Sequence, residues 1–407
     1  MEANTSKCSV YFGGIDESLK NHICSYLGFS EGSLPMKYLG LPLNAKRLSY
    51  LDCSTLIDKI SNKFQSWQHQ RQLSYAGRLQ LIKSTILGIQ TYWISNYILP
   101  FKAQEKIDKL CSDFLWGHKI HLISWNTICQ SKKNGGLGLF SAKAWNFAAA
   151  TKLLWMIHLK KDWLWIKWIH GNYLQNLNIW QIQSKVNDSW MWKQLLKVRN
   201  LVLERFGNED NLHRFMYDCC TNGKVHLSSV YYALIQSSSL VGWSDTVWKG
   251  YQYPKHSFVL WLACHSRLLT MDRLCRMGIL ESEKNRCVLC SRSQPETTKH
   301  LFFECQYAAE ILNEVMDWMN FPWKSCDWTQ VLNWFSSNLR GKGFLKMMKR
   351  MALSVTIYMI WQEMNLRIFQ GKAREPSILF RVIKVSIFSK ILNESIPVHM
   401  KDRIEKM

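Results

Sequence analysis

Four side chains constrain this chain more than any other feature: Cys287, Cys290, His300 and Cys305, in the spacing C-x2-C-x9-H-x4-C. Two cysteines separated by two residues can present both thiolates to one ion from a single tight turn. His300 and Cys305 stand five apart, so a helical turn with a small adjustment brings both to the same ion. Three thiolates and one imidazole make a closed tetrahedral shell, which suits one structural Zn2+. With every position filled by protein, no place is left for a water nucleophile, and a catalytic role for the ion is not expected. The alternative is four reduced side chains of an ordinary core. Cys264, His265 and Cys275 are close enough in sequence to be rival ligands but lack a paired C-x2-C. Cys264 lies beside the apolar run 258–263 and reads as a buried free thiol.

The chain has 13 Cys, an odd number, and most are scattered singly, as at Cys8, Cys24, Cys53, Cys111 and Cys129. Scatter of this kind, and an opening stretch that is mixed and polar, point to a reducing compartment: intracellular, nuclear or cytoplasmic, and not secreted. The longest apolar run, 352–360, is about half of what a bilayer span needs, so no membrane partner is expected.

Charge says something about partners. Lys plus Arg number 52 against 30 Asp plus Glu, a formal net charge of +22. Such a surplus attracts polyanions at low salt. Residues 61–100 carry Lys63, Arg71, Arg78 and Lys83 and no acid, and these four are the candidate contacts to a nucleic-acid backbone. Residues 115–200 add twelve bases to two acids, interleaved with tryptophans. Aromatic faces with cations between them suit single-stranded nucleic acid. Tryptophan at helical spacing, however, is ordinarily core.

With 407 residues the chain has room for about two or three domains, and at 47% hydrophobic it can bury a sizeable core. Scarce proline and abundant tryptophan predict a mainly α fold. Leu56, Ile60, Phe64 and Trp67 share one helical face. Leu79, Ile82, Ile86 and Trp93 mark a second helix, stopped before Pro100, and Ala103, Ile107, Leu110 and Phe114 a third, stopped at Gly117. Short strands and one small helix are expected over 1–44, and an alanine-rich helix over 141–158. Residues 200–245 read as a weakly structured connector with one short helix. A further helix carries Met348, Ala352, Val355, Met359 and Glu363, bounded by Gly371 and Pro376.

Other chemistries find no support. Gly135-Gly136-Leu137-Gly138 lacks the Lys-Ser/Thr of a phosphate loop. No two aspartates are adjacent anywhere, whereas a two-metal polymerase or nuclease needs clustered carboxylates. Asp16-Glu17 and Glu209-Asp210 read as solvated loop charges.

Three strips carry a resemblance. The first is Tyr11-Phe12-Gly13-Gly14 with Leu27-Gly28-Phe29 and Gly32-Ser33-Leu34-Pro35-x-x-Tyr38-Leu39-Gly40-Leu41-Pro42-Leu43. The second is Trp125…Lys132-x-x-Gly135-Gly136-Leu137-Gly138-Leu139…Asn146. The third runs from Trp248-Lys249 through Pro254-Lys255, Leu260-Trp261 and Arg267-Leu268-Leu269-Thr270 to Cys287, Cys290, Glu296, His300-Leu301-Phe302-Phe303 and Cys305. The tail Ile357-Tyr358-x-Ile360-Trp361-Gln362-Glu363-x-Asn365-x-Arg367-x-Phe369 joins them, with Met364 in place of the usual arginine. Together they resemble the C-terminal part of plant LINE-type, non-LTR retrotransposon reverse transcriptases.

The resemblance implies a palm-end remnant over 1–50, a thumb-like helical domain over 51–120 and a Trp-rich basic linker over 121–245. It places a reverse-transcriptase zinc-binding domain at 246–323 and a helical region at 324–407. It also implies that thumb helices contact the template–primer backbone while the zinc module grips RNA or DNA. The family's aromatic-x-Asp-Asp centre is not in the chain, and neither is its endonuclease. The expected function is therefore a non-catalytic, zinc-binding and nucleic-acid-binding protein. The alternatives are a zinc-stapled protein-interaction module and the C-terminal half of an active reverse transcriptase working in trans. Protein partners are unknown from sequence.

Overall fold

The structure is a computed structural model and describes residues 8–43, 47–70, 73–117, 120–235, 238–324, 327–341 and 343–393. The fold is mainly α, with sheet confined to two-stranded pieces. The chain divides into two compact units. One comprises residues 1–67, 85–110 and 142–235, the other 68–84, 111–141 and 236–407.

In the first unit, strand Ser9–Val10 pairs in parallel with Ser30–Glu31, and Met36–Tyr38 pairs antiparallel with Leu41–Leu43. Asp16 is not a free loop charge: its carboxylate accepts from the Leu19 N–H at 2.8 Å and caps helix Glu17–Leu27. The unit is centred on the alanine-rich helix Ala142–His158, which packs on Leu87–Ile94, Trp190–Phe206 and Leu227–Leu234. Small side chains at Ala142, Ala148 and Ala150 let those neighbours approach closely. Asn146, buried on this helix, accepts from the Leu99 N–H (2.9 Å) and Gln104 Nε2 (2.8 Å) and donates to the Tyr97 carbonyl (2.8 Å). It satisfies the backbone where the chain turns at Pro100.

The stretch 200–245 departs from expectation. Helix Trp190–Phe206 runs into it, and Glu209–Asp218 and Leu227–Leu234 follow. Asn208 caps the second of these through the Asn211 N–H at 2.8 Å, and Leu212 and Met216, one turn apart, are fully buried. Two apolar anchors on ten residues suffice once a cap is present. Glu209 is likewise engaged, accepting from Asn178 at 3.1 Å and facing His213 at 3.5 Å.

In the second unit, the long helix Phe344–Gln370 is buried on nearly every side from Met348 to Ile360, and so is central. Pro254–Cys264, Gln306–Trp318 and Pro376–Leu392 pack on it. The glycine cluster is structural. Trp261 Nε1 and His265 Nε2 both meet the Gly135 carbonyl at 2.8 Å. A Cβ at Gly136 would stand 2.1 Å from the Gln130 carbonyl oxygen and 2.6 Å from that of Thr127.

The tryptophans divide as packing predicts. Trp116, Trp155, Trp192 and Trp261 are among the largest fully buried side chains, while Trp163 and Trp168 are about half exposed. Among the described residues no helix is long and apolar enough to cross a membrane.

Candidate metal centre

The pair Cys287 and Cys290 sits on a turn whose first N–H is held by the Gln294 carbonyl at 2.8 Å. The second pair comes from a π-helical turn, His300–Glu304. Its closing bond, Cys305 N–H to the His300 carbonyl at 2.7 Å, spans five residues. This is the adjustment that a spacing of five demands: a wider turn replaces the α turn and returns His300 and Cys305 to one side. The Thr297 hydroxyl accepts from the His300 N–H at 3.0 Å, and Cys305 opens helix Gln306–Trp318.

The four ligand atoms lie within 4.8 Å of one another. Cys287 Sγ and Cys305 Sγ are 3.9 Å apart, and Cys290 Sγ and His300 Nε2 are 3.5 Å apart. A tetrahedral zinc with Zn–S near 2.3 Å and Zn–N near 2.0–2.1 Å has S–S edges of about 3.8 Å and S–N edges of about 3.5 Å. The donor set and its spacing fit one structural zinc. Cys287, His300 and Cys305 are buried. Donating to Cys305 and being buried push the Cys287 thiol up, and accepting that bond pulls Cys305 down. Burial lowers His300 and keeps its imidazole neutral, the form that binds metal.

The rival ligands lie elsewhere. Cys275 Sγ donates to the Glu281 carbonyl at 3.3 Å, His265 is bound to Gly135, and burial pushes the Cys264 thiol well up.

Outside the motif, helix Phe344–Gln370 braces the ligand loop. Arg367 Nη1 donates to the carbonyls of Val288 and Leu289, the two residues between Cys287 and Cys290, at 3.3 and 3.2 Å. Its guanidinium lies over the Tyr307 ring, 4.5 Å from the centroid, and its Nε is held by Glu363 at 3.0 Å. Glu363 is fully buried and also takes Arg374 Nε at 2.7 Å and the Arg374 N–H at 2.8 Å. Burial alone would raise its carboxyl, but the bonds from Arg374 and Arg367 outweigh this and lower it. The tail strip Glu363-x-Asn365-x-Arg367 was visible in the sequence, but its attachment to the ligand loop was not.

Glu296 is a further buried acid of this region. One oxygen accepts from the Met271 N–H at 3.1 Å, its backbone N–H donates to Asn285 at 3.0 Å, and burial pushes its carboxyl up to about 7.

Residues 226–311 match the family described as zinc-binding in reverse transcriptase. All four residues of the cluster lie inside the matched segment, whereas Glu363 and Arg367 lie outside it. A stretch of 138 residues is also 31% identical to a protein of Arabidopsis thaliana named "Putative ribonuclease H protein", covering 33% of this chain and 22% of that protein. The chain thus spans about a fifth of the length of the relative it matches. Both matches agree with a retroelement-type C-terminal region.

The candidate backbone contacts fall in both units. Lys63 is exposed in the first unit. Arg78 and Lys83 belong to the second unit, and Arg71 lies outside the described residues. Arg78 is half-buried over the Tyr75 ring. Lys83 turns inward: its ammonium donates to the Leu137 carbonyl at 2.5 Å, and burial with Lys132 nearby brings its pKa down to about 8.

A second cluster, missed from sequence because its members are far apart along the chain, joins His158, Glu209 and His213 in the first unit. Trp180 Nε1 donates to His158 Nδ1 at 3.0 Å. That bond leaves the remaining proton of the neutral ring on Nε2, opposite to what a metal-binding imidazole needs. The trio is packing, walled by Trp155 and Trp180.

Proposed function

We propose that this chain is a non-catalytic, zinc-stapled nucleic-acid-binding protein of retroelement type. The observation that carries the reading is a cleft of about 430 Å³ in the first unit. Arg47, Lys193, Lys197 and Arg199 line it, and no carboxylate is among its lining residues. Arg47 lies 5.7 Å from the Trp190 ring centroid, Lys197 is exposed, and Arg199 is fixed by the Ile179 and Ile182 carbonyls. A concavity lined by cations and by no carboxylate attracts phosphate oxygens. The net charge of +22 and the likeness to a zinc-binding segment of reverse transcriptases support the same reading.

Hydrolysis or polymerisation through two metal ions needs converging carboxylates. Acids are few here and no two aspartates adjoin, so the reading leaves out both polymerase activity and the ribonuclease activity in the relative's name. The test is a salt titration of polynucleotide binding. With about five phosphates engaged, the log–log slope on a single strand is about −3.5. A slope near zero, or no binding at low salt, would favour a protein-interaction module instead.

A further inference from the structure

The second unit contains a cleft of about 450 Å³ whose lining differs from that of the basic cleft. Its walls are aromatic, with Tyr75, Phe258, Tyr358 and Trp361, and two cations, Arg78 and Lys255, stand on it. The volume is of the size that small organic ligands occupy. No carboxylate is among the lining residues.

Several parts of the lining are held in place. Tyr75 stacks on Phe258 with ring centroids 5.4 Å apart, which fixes one wall. Tyr358 is stacked on buried His256 at 4.1 Å, and Lys255 Nζ lies 4.8 Å from the same ring. Arg78 lies 5.8 Å from the Tyr75 ring centroid and against Gly117, where a Cβ would stand 2.1 Å from Nη1. A side chain at Gly117 would push the guanidinium off its seat. Trp361 is half-buried on the long helix, and Gln362 and Asn365 follow it along the cleft. Asn365 commits its amide N–H to the Trp361 carbonyl at 2.7 Å and keeps its oxygen as an acceptor.

Flat faces, amide groups and cations without acids match three parts of one chemistry: a ring to stack, polar ring edges and a phosphate. We propose that this cleft receives one unpaired base of a single-stranded nucleic acid, stacked on Trp361, with flanking phosphates met by Arg78 and Lys255. The proposal rests on the nucleic-acid-binding reading and adds to it a preference for single strands. A duplex keeps its bases stacked on one another and cannot fill the cleft. The cleft also gives Arg78 a specific task, distinct from tracking a backbone.

The test uses the full chain and a 5′-labelled single-stranded 20-mer, its duplex, and AMP as a competitor, read by fluorescence anisotropy. The single strand should bind more tightly than the duplex. Trp361→Ala should weaken single-strand binding by roughly 5- to 150-fold, the effect of losing one stacked base, with the salt slope and duplex binding unchanged. Trp361→Phe should keep most of the affinity. Lys255→Ala, at an exposed position, tests the cleft without touching the core and should reduce the single-strand slope by about one contact. Millimolar AMP should not compete. If Trp361→Ala and Lys255→Ala leave the single strand unaffected, or weaken strand and duplex alike, the cleft is not a base site and the nucleic-acid reading stands alone. AMP competing at micromolar levels would reassign the cleft to a free nucleotide. Absence of any polynucleotide binding by the unmodified chain would overturn both readings.

Discussion

Glu363 holds the Nε of Arg367 at 3.0 Å, and the other end of that guanidinium is bound to the backbone between Cys287 and Cys290. A fully buried carboxylate on the long central helix thus fixes the orientation of a metal-ligand turn.

Arg367→Ala should lower zinc affinity by about 10- to 100-fold, the usual effect of losing a partner that orients a ligand. Arg367→Lys should not restore it, since one ammonium cannot bridge Glu363 and two carbonyls at once. Competition with a chromogenic chelator measures both variants. Zinc affinity unchanged in Arg367→Ala would show the brace to be irrelevant to the metal.

Glu363→Gln removes the charge that pairs with both Arg367 and Arg374. The carboxylate is fully buried and the two guanidiniums half-buried, and breaking such a pair costs up to about 3–5 kcal/mol. Denaturant unfolding should show a loss of that order in the second unit. A loss below about 1 kcal/mol would mean that the pairs are solvated and dispensable.

Glu296 gives a pH dependence of definite sign. Its folded pKa is raised to about 7 by burial, above an unfolded value of about 4.3. Its stabilising contribution is fully present below the unfolded value and is lost as pH rises through the folded one. Glu296→Gln should therefore raise Tm at pH 8 relative to the unmodified chain, with the difference shrinking toward pH 4.5. Taking the difference between the two proteins cancels the opposite effect of acid on zinc. A variant less stable at pH 8 than at pH 5, relative to the parent, would contradict this assignment.

Gly136→Ala should destabilise by about 3 kcal/mol or more, because its Cβ would overlap backbone atoms of Gln130 and Thr127 that cannot swing away. Gly88→Ala, where a Cβ would meet nothing within 4 Å, serves as the tolerant control in a thermal melt.

How much of this was legible in the sequence depends on how far apart the partners lie along the chain. The four ligands are local, so their spacing alone predicted the cluster, and the π turn supplied the small adjustment the spacing required. Helices Ser54–Gln70 and Phe101–Trp116 followed from apolar periodicity, and Ala142–His158 from its alanine content. The Arg367 brace was not legible, because its partner carbonyls lie 78 and 79 residues away. The Leu137 contact of Lys83 was not legible for a related reason. A lysine in an acid-free stretch looks solvent-facing, and only tertiary structure shows the Leu137 carbonyl that draws it inward. The helices after 200 are short, ten and eight residues, and rest on a few buried anchors such as Leu212, Met216, Val230 and Leu234.

The central claim is that Cys287, Cys290, His300 and Cys305 hold one structural zinc. Metal analysis of the purified full chain, with hydrogen exchange before and after chelation, tests it most directly. The account predicts one zinc per chain, lost in Cys290→Ser, with protection lost over about 248–323 and kept in helix Ala142–His158. A purified chain with no zinc, or one whose exchange is unchanged by chelation, would contradict it.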